Sequence, residues 1–150
     1  RTAMKVYFER RGDVAVLQIS NPPVNGLNLA MRKGVAAGLQ RALRDPKVRV
    51  VVITGTGRIF SGGADIREFN TPARDVYPMT RDLMNLIEAS DKPVVAAVRG
   101  PTLGGGLELA LGCHYRVADA AATLGNGILR HQTIAEGRVA GHPDSAPAQV

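Results

Sequence analysis

The chain has 150 residues, 45% of them apolar and 21% charged, an ordinary globular composition that excludes a disordered chain, a collagen-like repeat and a coiled coil. Its length suits one domain that buries about 68–70% of its unfolded surface, and 4% aromatics with no Trp leave Ala, Val and Leu to fill the core. The formal charge of +6 favours anionic partners, but the basic residues are scattered and few aromatics are available for base stacking, so no nucleic-acid partner is expected.

The longest apolar run, Val50 to Ile53, falls far short of the roughly 18 residues of a membrane span, and no membrane partner is expected. Arg1 to Arg11 alternates charged and apolar residues, unlike a secretory signal, so the expected location is cytoplasmic. The single Cys113 excludes an internal disulfide, and three scattered His give no zinc spacing, so no metal is expected.

Lys5 to Glu9 and Val14 to Ile19 read as strands joined at Gly12-Asp13, a β-hairpin. Asn21-Pro22-Pro23 stops the second strand, because proline has no amide hydrogen for a ladder, and a loop runs over 21–28. Val35, Leu39 and Leu43 recur every four residues and predict an amphipathic helix from Leu29 to Leu43. Arg49 to Thr54 is a short β-branched run suited to a mid-sheet strand buried on both faces. A second helix is expected from about Val76 to Ala89, with Met79, Leu83, Leu86 and Ile87 on its core face. Val94 to Val98 follows as a buried strand, then a short helix opened by Gly104 to Gly106 and running to about Gly112, and Tyr115 to Ala118 as a strand. Alternation of strand and helix indicates an α/β fold with crossover connections. After Gly125 the apolar periodicity fades, and 126–150 reads as a tail or an irregular segment.

Two glycine-rich loops each follow a buried strand, one from Gly55 to Asp65 and one from Gly100 to Glu108. Loops beyond the C-terminal ends of parallel strands are where α/β folds bind ligands, and glycine lets the backbone approach a ligand closely. Neither loop continues as Gly-Lys-Ser/Thr or forms the dinucleotide fingerprint, which disfavours ATP and NAD. No G-x-S-x-G elbow surrounds Ser61, Ser90 or Ser145, which sets aside a serine hydrolase. Glu108 lies in the first turns of the helix after the second loop, where the helix dipole stabilises a carboxylate. Position alone leaves open whether it serves chemistry or simply faces solvent.

Several segments carry a resemblance: Asn21-Pro22-Pro23-Val24-Asn25, the strand Val51 to Thr54, Phe60-Ser61-Gly62-Gly63-Ala64-Asp65-Ile66, Lys92 to Val98, and Leu103 to Gly112. In order and spacing they resemble the enoyl-CoA hydratase/isomerase, or crotonase, family over roughly positions 4–125. Cys113-His114-Tyr115-Arg116-Val117-Ala118 further resembles the hydratase/isomerase domain at the N-terminus of bifunctional fatty-acid β-oxidation enzymes. The fold this implies is a ββα spiral truncated after its fourth core unit, with 1–125 as the acyl-CoA-binding core and 126–150 as a divergent tail. A chain shortened or altered in frame at that boundary would explain the tail.

The resemblance implies an acyl-CoA thioester as substrate, with coenzyme A part of that substrate and no separate cofactor. It assigns the oxyanion hole to the amides of Ala64 and Gly105, and acid/base chemistry to Glu108. Val24, Asn25, Gly63, Ala64, Asp65, Ile66, Gly104 and Gly105 are the expected CoA and substrate contacts. The second glutamate of family hydratases falls at Ile128, which can neither donate a proton nor hold water, and Glu136 lies eight residues beyond. Two readings follow: an enoyl-CoA hydratase/isomerase of fatty-acid β-oxidation, or a catalytically weak acyl-CoA-binding or interaction module lacking the second acid. Family membership implies a trimer-based homo-oligomer. A peroxisomal address is the alternative to the cytoplasm, although Ala148-Gln149-Val150 is not a Ser-Lys-Leu signal. Of the smaller features, Cys113 is expected as a buried small residue and His114 as a packed or capping one. Asp65 should cap a helix entered at Ile66, and Lys92 and Arg99 should be solvated.

Overall fold

The computed structural model describes residues 4–125, 132–135 and 138–140. Strands β1 (Lys5–Arg11) and β2 (Val14–Ser20) form the expected antiparallel hairpin, turning at Gly12 with φ 60°. Helix α1 (Leu29–Arg44) is capped by Asn28, whose side chain accepts the Met31 amide at 2.9 Å. It leads by a crossover to β3 (Val50–Gly55), parallel to β2. Two short 3-10 turns, Ile66–Glu68 and Pro72–Asp75, precede helix α2 (Thr80–Glu88), which crosses to β4 (Val94–Val98). Then come β5 (Pro101–Leu103), helix α3 (Gly105–Gly112) and β6 (Tyr115–Ala118).

One sheet has the order β1-β2-β3-β4-β6, with β3 at its centre as expected. The strands from β2 onward run parallel. A second sheet joins β5 to β7 (Thr123–Gly125), β8 (Gln132–Ala135) and β9 (Arg138–Ala140). The expectation of irregular chain after 125 is therefore corrected over 132–135 and 138–140. Thr133, Ile134 and Val139 are β-branched residues suited to a pleated ladder, and β8 pairs antiparallel with both β7 and β9.

Burial alternates along the central strands. Ala15, Leu17, Ile19, Val51, Ile53, Ala96 and Val98 are buried, whereas Val50, Val52 and Thr54 on the opposite face of β3 are half-buried. The expectation that β3 is buried on both faces is corrected. The helices cover the Leu17 side, and α1 comes so close that a Cβ on Gly38 would stand 2.7 Å from the Leu17 side chain. Leu83 and Ile87 of α2 complete the core, with Leu86 packed against it. Helix α2 begins at Thr80 rather than Val76, because Tyr77 precedes Pro78 and a residue before proline is pushed out of the helical region. Among the described residues, no helix is long and apolar enough to cross a membrane.

Candidate active site

The two glycine loops are stitched to each other and to the loop after β2. Asn25, at φ 52°, is buried, and its Nδ2 donates to the carbonyls of Thr56 and Ile59, each at 3.0 Å. Its Oδ1 accepts the Asn21 amide at 3.0 Å, and its carbonyl accepts the Ser61 hydroxyl at 2.8 Å. The Leu27 amide donates to the Gly63 carbonyl at 2.8 Å, and the Leu103 amide to the Ser61 carbonyl at 3.0 Å. With its side chain spent on these bonds, Asn25 holds the first loop in shape, while Pro22, Pro23 and Val24 before it are exposed.

This stitching presses β5 and the start of α3 against residues 61–64. Gly63 adopts φ 96°, and a Cβ there would stand 2.7 Å from the Leu103 carbonyl oxygen and 3.1 Å from the Gly105 nitrogen. Gly104, at φ 50°, donates to the Gly125 carbonyl at 2.9 Å and turns the chain into α3. The point where a Cβ on Gly105 would sit lies 3.8 Å from the Ala64 nitrogen. The amides of Ala64 and Gly105 are thus neighbours, and neither meets a protein acceptor among the described residues. Gly105 opens a helix, where amides have no partner within the helix and the dipole favours negative charge.

Two clefts adjoin at Ala64, and Gly105 lines the smaller of them. One of about 280 Å³ is lined by Pro23, Val24, Gly62, Ile66 and Arg67, and the other, of about 120 Å³, by Leu27, Phe69, Met79, Thr80 and Gly105. Ala64 and Asp65 line both. A larger polar cleft of about 310 Å³, between Arg11, Thr54 and Arg99, touches none of Ala64, Gly105 or Glu108. The geometry can hold a small anionic oxygen at the junction, with one arm of a ligand in each cleft.

Asp65 caps the turn at Ile66 as expected, its Oδ1 accepting the Arg67 amide at 3.0 Å. Its carboxylate also takes the Arg67 guanidinium at 2.8 and 2.9 Å and Asn21 Nδ2 at 3.0 Å. The Arg67 hydrogen bonds hold its pKa down at about 2. Ile66 is exposed and lines the 280 Å³ cleft. Glu108 is exposed in the first turn of α3, one turn past Gly105, and lines neither cleft. Ile128 and Glu136 lie outside the described residues.

Cys113 is buried, and burial pushes its thiol up to about 12. His114 Nδ1 accepts the Val94 amide at 2.9 Å, which fixes β4 to the start of β6. Lys92 is not freely solvated: its Nζ donates to the carbonyls of Ala42 and Asp45, each at 2.9 Å, and closes the C-terminus of α1. Arg99 is exposed. Among the described residues no group of His, Cys, Asp and Glu could hold a metal.

Arg32 escaped the reading of α1 as amphipathic. It is 4% exposed and lines the smaller cleft together with Glu68. Its place three residues before Val35 and seven before Leu39, on the apolar stripe, is the signal that marks it in the sequence.

A central parallel sheet with helices on one face, and two glycine loops that bring free amides together, define an α/β crotonase fold. The enoyl-CoA hydratase from Thermoplasma volcanium GSS1 shares it, with a TM-score of 0.74 and 37% identity over 83% of this chain and 52% of its own. The enoyl-CoA hydratase/isomerase family model matches residues 9–139, and the chain belongs to that family. The peroxisomal bifunctional enzyme of Danio rerio is 54% identical over 112 residues, which are 75% of this chain and 15% of the relative. The peroxisomal bifunctional enzyme of Homo sapiens is 42% identical over 122 residues, 81% of this chain and 17% of the relative. The chain thus spans less than a fifth of the length of these relatives and about half of the solved hydratase.

Proposed function

We propose that the chain is an acyl-CoA enzyme of the hydratase/isomerase type, with the thioester oxygen received by the amides of Ala64 and Gly105. One observation carries the reading: two unbonded, neighbouring amides stand where two clefts meet. A thioester has this shape, with CoA on one side of its carbonyl and the acyl chain on the other. The 280 Å³ cleft, with Arg67 at its edge, takes the CoA arm, and the 120 Å³ one, walled by Leu27, Phe69 and Met79 with Arg32, Glu68 and Arg74 beside them, takes the acyl arm.

As water adds to the β-carbon, or a proton moves at the α-carbon, negative charge gathers on the thioester oxygen. A fixed amide donor to such an oxygen contributes about 2.7–4 kcal/mol in the transition state. Glu108 then serves as the acid/base that activates water or moves the proton. A second reading, an acyl-CoA-binding module without efficient turnover, is favoured by one feature: Glu108 is exposed and stands outside both clefts.

Hydration of crotonyl-CoA by the full chain, beside the Glu108→Gln variant and with thioester binding followed by calorimetry, separates the readings. Turnover that falls at least about 10²-fold in Glu108→Gln is expected of the enzyme. Specific thioester binding without turnover would support the binding module. Absence of both would overturn the two readings together.

A further inference from the structure

Arginine has five N–H donors in a rigid fork and is rarely buried unless all of them are used. Arg32 uses all five. Its Nε donates to the Pro78 carbonyl at 2.6 Å. One terminal nitrogen donates to the Leu27 carbonyl at 2.8 Å and to the Glu68 carboxylate at 3.0 Å. The other meets the carbonyls of Ala73 at 2.8 Å and Val76 at 3.4 Å. Glu68 spends its second oxygen on the Leu29 amide, at the first turn of α1. One guanidinium and one carboxylate therefore tie segment 66–79 to α1 at four points.

The segment's other side-chain ties to its surroundings lie at its two ends, where Arg67 holds Asp65 and, at 2.9 Å, Asn21 Oδ1, and the Met79 amide donates to Asp82 at 2.7 Å. Its backbone hydrogen bonds are local, such as Phe69 to Ile66 and Val76 to Ala73. Ile66, Phe69, Val76 and Tyr77 are exposed, and Pro78 is the segment's one buried residue. Yet this segment supplies Phe69 and Met79, and places Thr80 after it, in the cleft that contains Ala64 and Gly105.

We propose that Arg32, through Glu68 and the carbonyls of Ala73, Val76 and Pro78, is the positioning residue that sets the acyl wall of the site. The proposal rests on the acyl-CoA reading above. Arg32 acts through the wall it holds rather than on the reacting atoms. Loosening it should change the selectivity for the acyl arm, while the CoA arm is spared because Ile66 and Arg67, the residues of this segment that line its cleft, are held by the bonds of Arg67 to Asp65 and Asn21. A role confined to overall stability would weaken both arms alike.

The test uses the full chain with Arg32→Lys, which keeps the charge but loses the fork, and Glu68→Gln, which keeps the shape and an acceptor for Leu29 if the first variant folds poorly. Amide hydrogen exchange and the dissociation constants of CoA and butyryl-CoA are measured on each. Exchange over 66–79 should quicken by about tenfold or more while β2, β3 and β4 stay protected. The preference for butyryl-CoA over CoA should drop by about fivefold, with CoA affinity unchanged. Exchange that rises evenly through the molecule, or an unchanged preference for the acyl form, would overturn the positioning role. Wild-type protein that binds neither CoA nor butyryl-CoA would instead overturn the acyl-CoA reading, and the role of Arg32 in it, before any variant is compared.

Discussion

Replacing Gly106 by Ala perturbs the proposed oxyanion site without altering either amide assigned to it. Gly106 is buried in the first turn of α3, and a Cβ there would stand 2.5 Å from the Ser61 carbonyl oxygen and 2.8 Å from its Cβ. Ordinary contact begins near 3.4 Å, so the helix and residue 61 must part by about 1 Å, the difference between the two distances. The same carbonyl accepts the Leu103 amide at 3.0 Å, so the chain cannot yield there without loosening the join between the loops. Overpacking costs about 1–3 kcal/mol, against which alanine regains about 1 kcal/mol of helix propensity, so the net loss of stability should be about 0–2 kcal/mol. Turnover should suffer more. Moving the Gly105 amide by about 1 Å forfeits much of one donor, and losing a donor lowers kcat by about 10²–10³. Thermal unfolding and crotonyl-CoA hydration, with thioester affinity alongside, measure the two effects separately. Gly112→Ala is the control at the far end of α3, where the added methyl meets Met84 Cγ at 2.8 Å, on a flexible side chain. Gly106→Ala protein with the control's turnover and thioester affinity would refute the claim that the contact of α3 with Ser61 sets the site.

Asp65 gives a pH dependence whose sign is fixed: its folded pKa of about 2 lies below the ordinary 3.8, so its contribution is present above 3.8 and lost as pH falls through 2. At full weight the shift is worth about 2.4 kcal/mol, but Arg67 is 61% exposed, and solvent screening reduces this to about 1 kcal/mol. Urea unfolding at about pH 6 and about pH 2 should show that much more acid destabilisation in wild type than in Asp65→Asn, and equal losses would sink the argument. Asn25→Ala should lower unfolding free energy by about 3 kcal/mol, since it strips buried carbonyls of their donor. A change under about 1 kcal/mol would mean that water replaces the amide.

Much of the fold was legible from periodicity. The hairpin, α1, β3, β4, α3 and β6 carry patterns long enough, or bounded sharply enough by glycine and proline, to be read locally. The second sheet was not, because β5 and β7 have three residues each, too few to show a period of two. The early start given to α2 came from reading apolar spacing through Tyr77-Pro78, where proline overrides it. The half-open second face of β3 was missed because a Val-rich run looks alike whether helices cover one side of a sheet or both. Within the site, the glycine loops were visible as a local excess of one residue type. That Ala64 and Gly105 face each other came only through resemblance, since pairing two amides forty-one positions apart is a tertiary fact. Arg32 shows the converse: its place on the apolar stripe of α1 was visible, but the carbonyls and carboxylate that let it stay buried come from residues 68–78, far off in sequence.

The site is built from backbone, and this decides how sequence controls it. Short of a proline, no change of its own side chain deletes an amide donor, so selection acts on whatever holds the amide in place. On one side this is the absence of a Cβ at Gly63 and Gly106, which lets α3 close on residues 61–64. On the other it is a buried ion pair, 3.0 Å between Arg32 and Glu68, which carries the opposing wall on side chains. Losing one member of such a pair strands a buried charge, whereas an added methyl only forces a gap. The amide side is therefore tuned by volume and the acyl side by charge. On the acyl-CoA reading proposed above, substrate preference varies through residues 68–79 while the oxyanion geometry stays fixed. Sequences 37% identical share this fold, because a site made of backbone amides needs only the few side chains that hold its loops, such as those of Asn25 and Ser61.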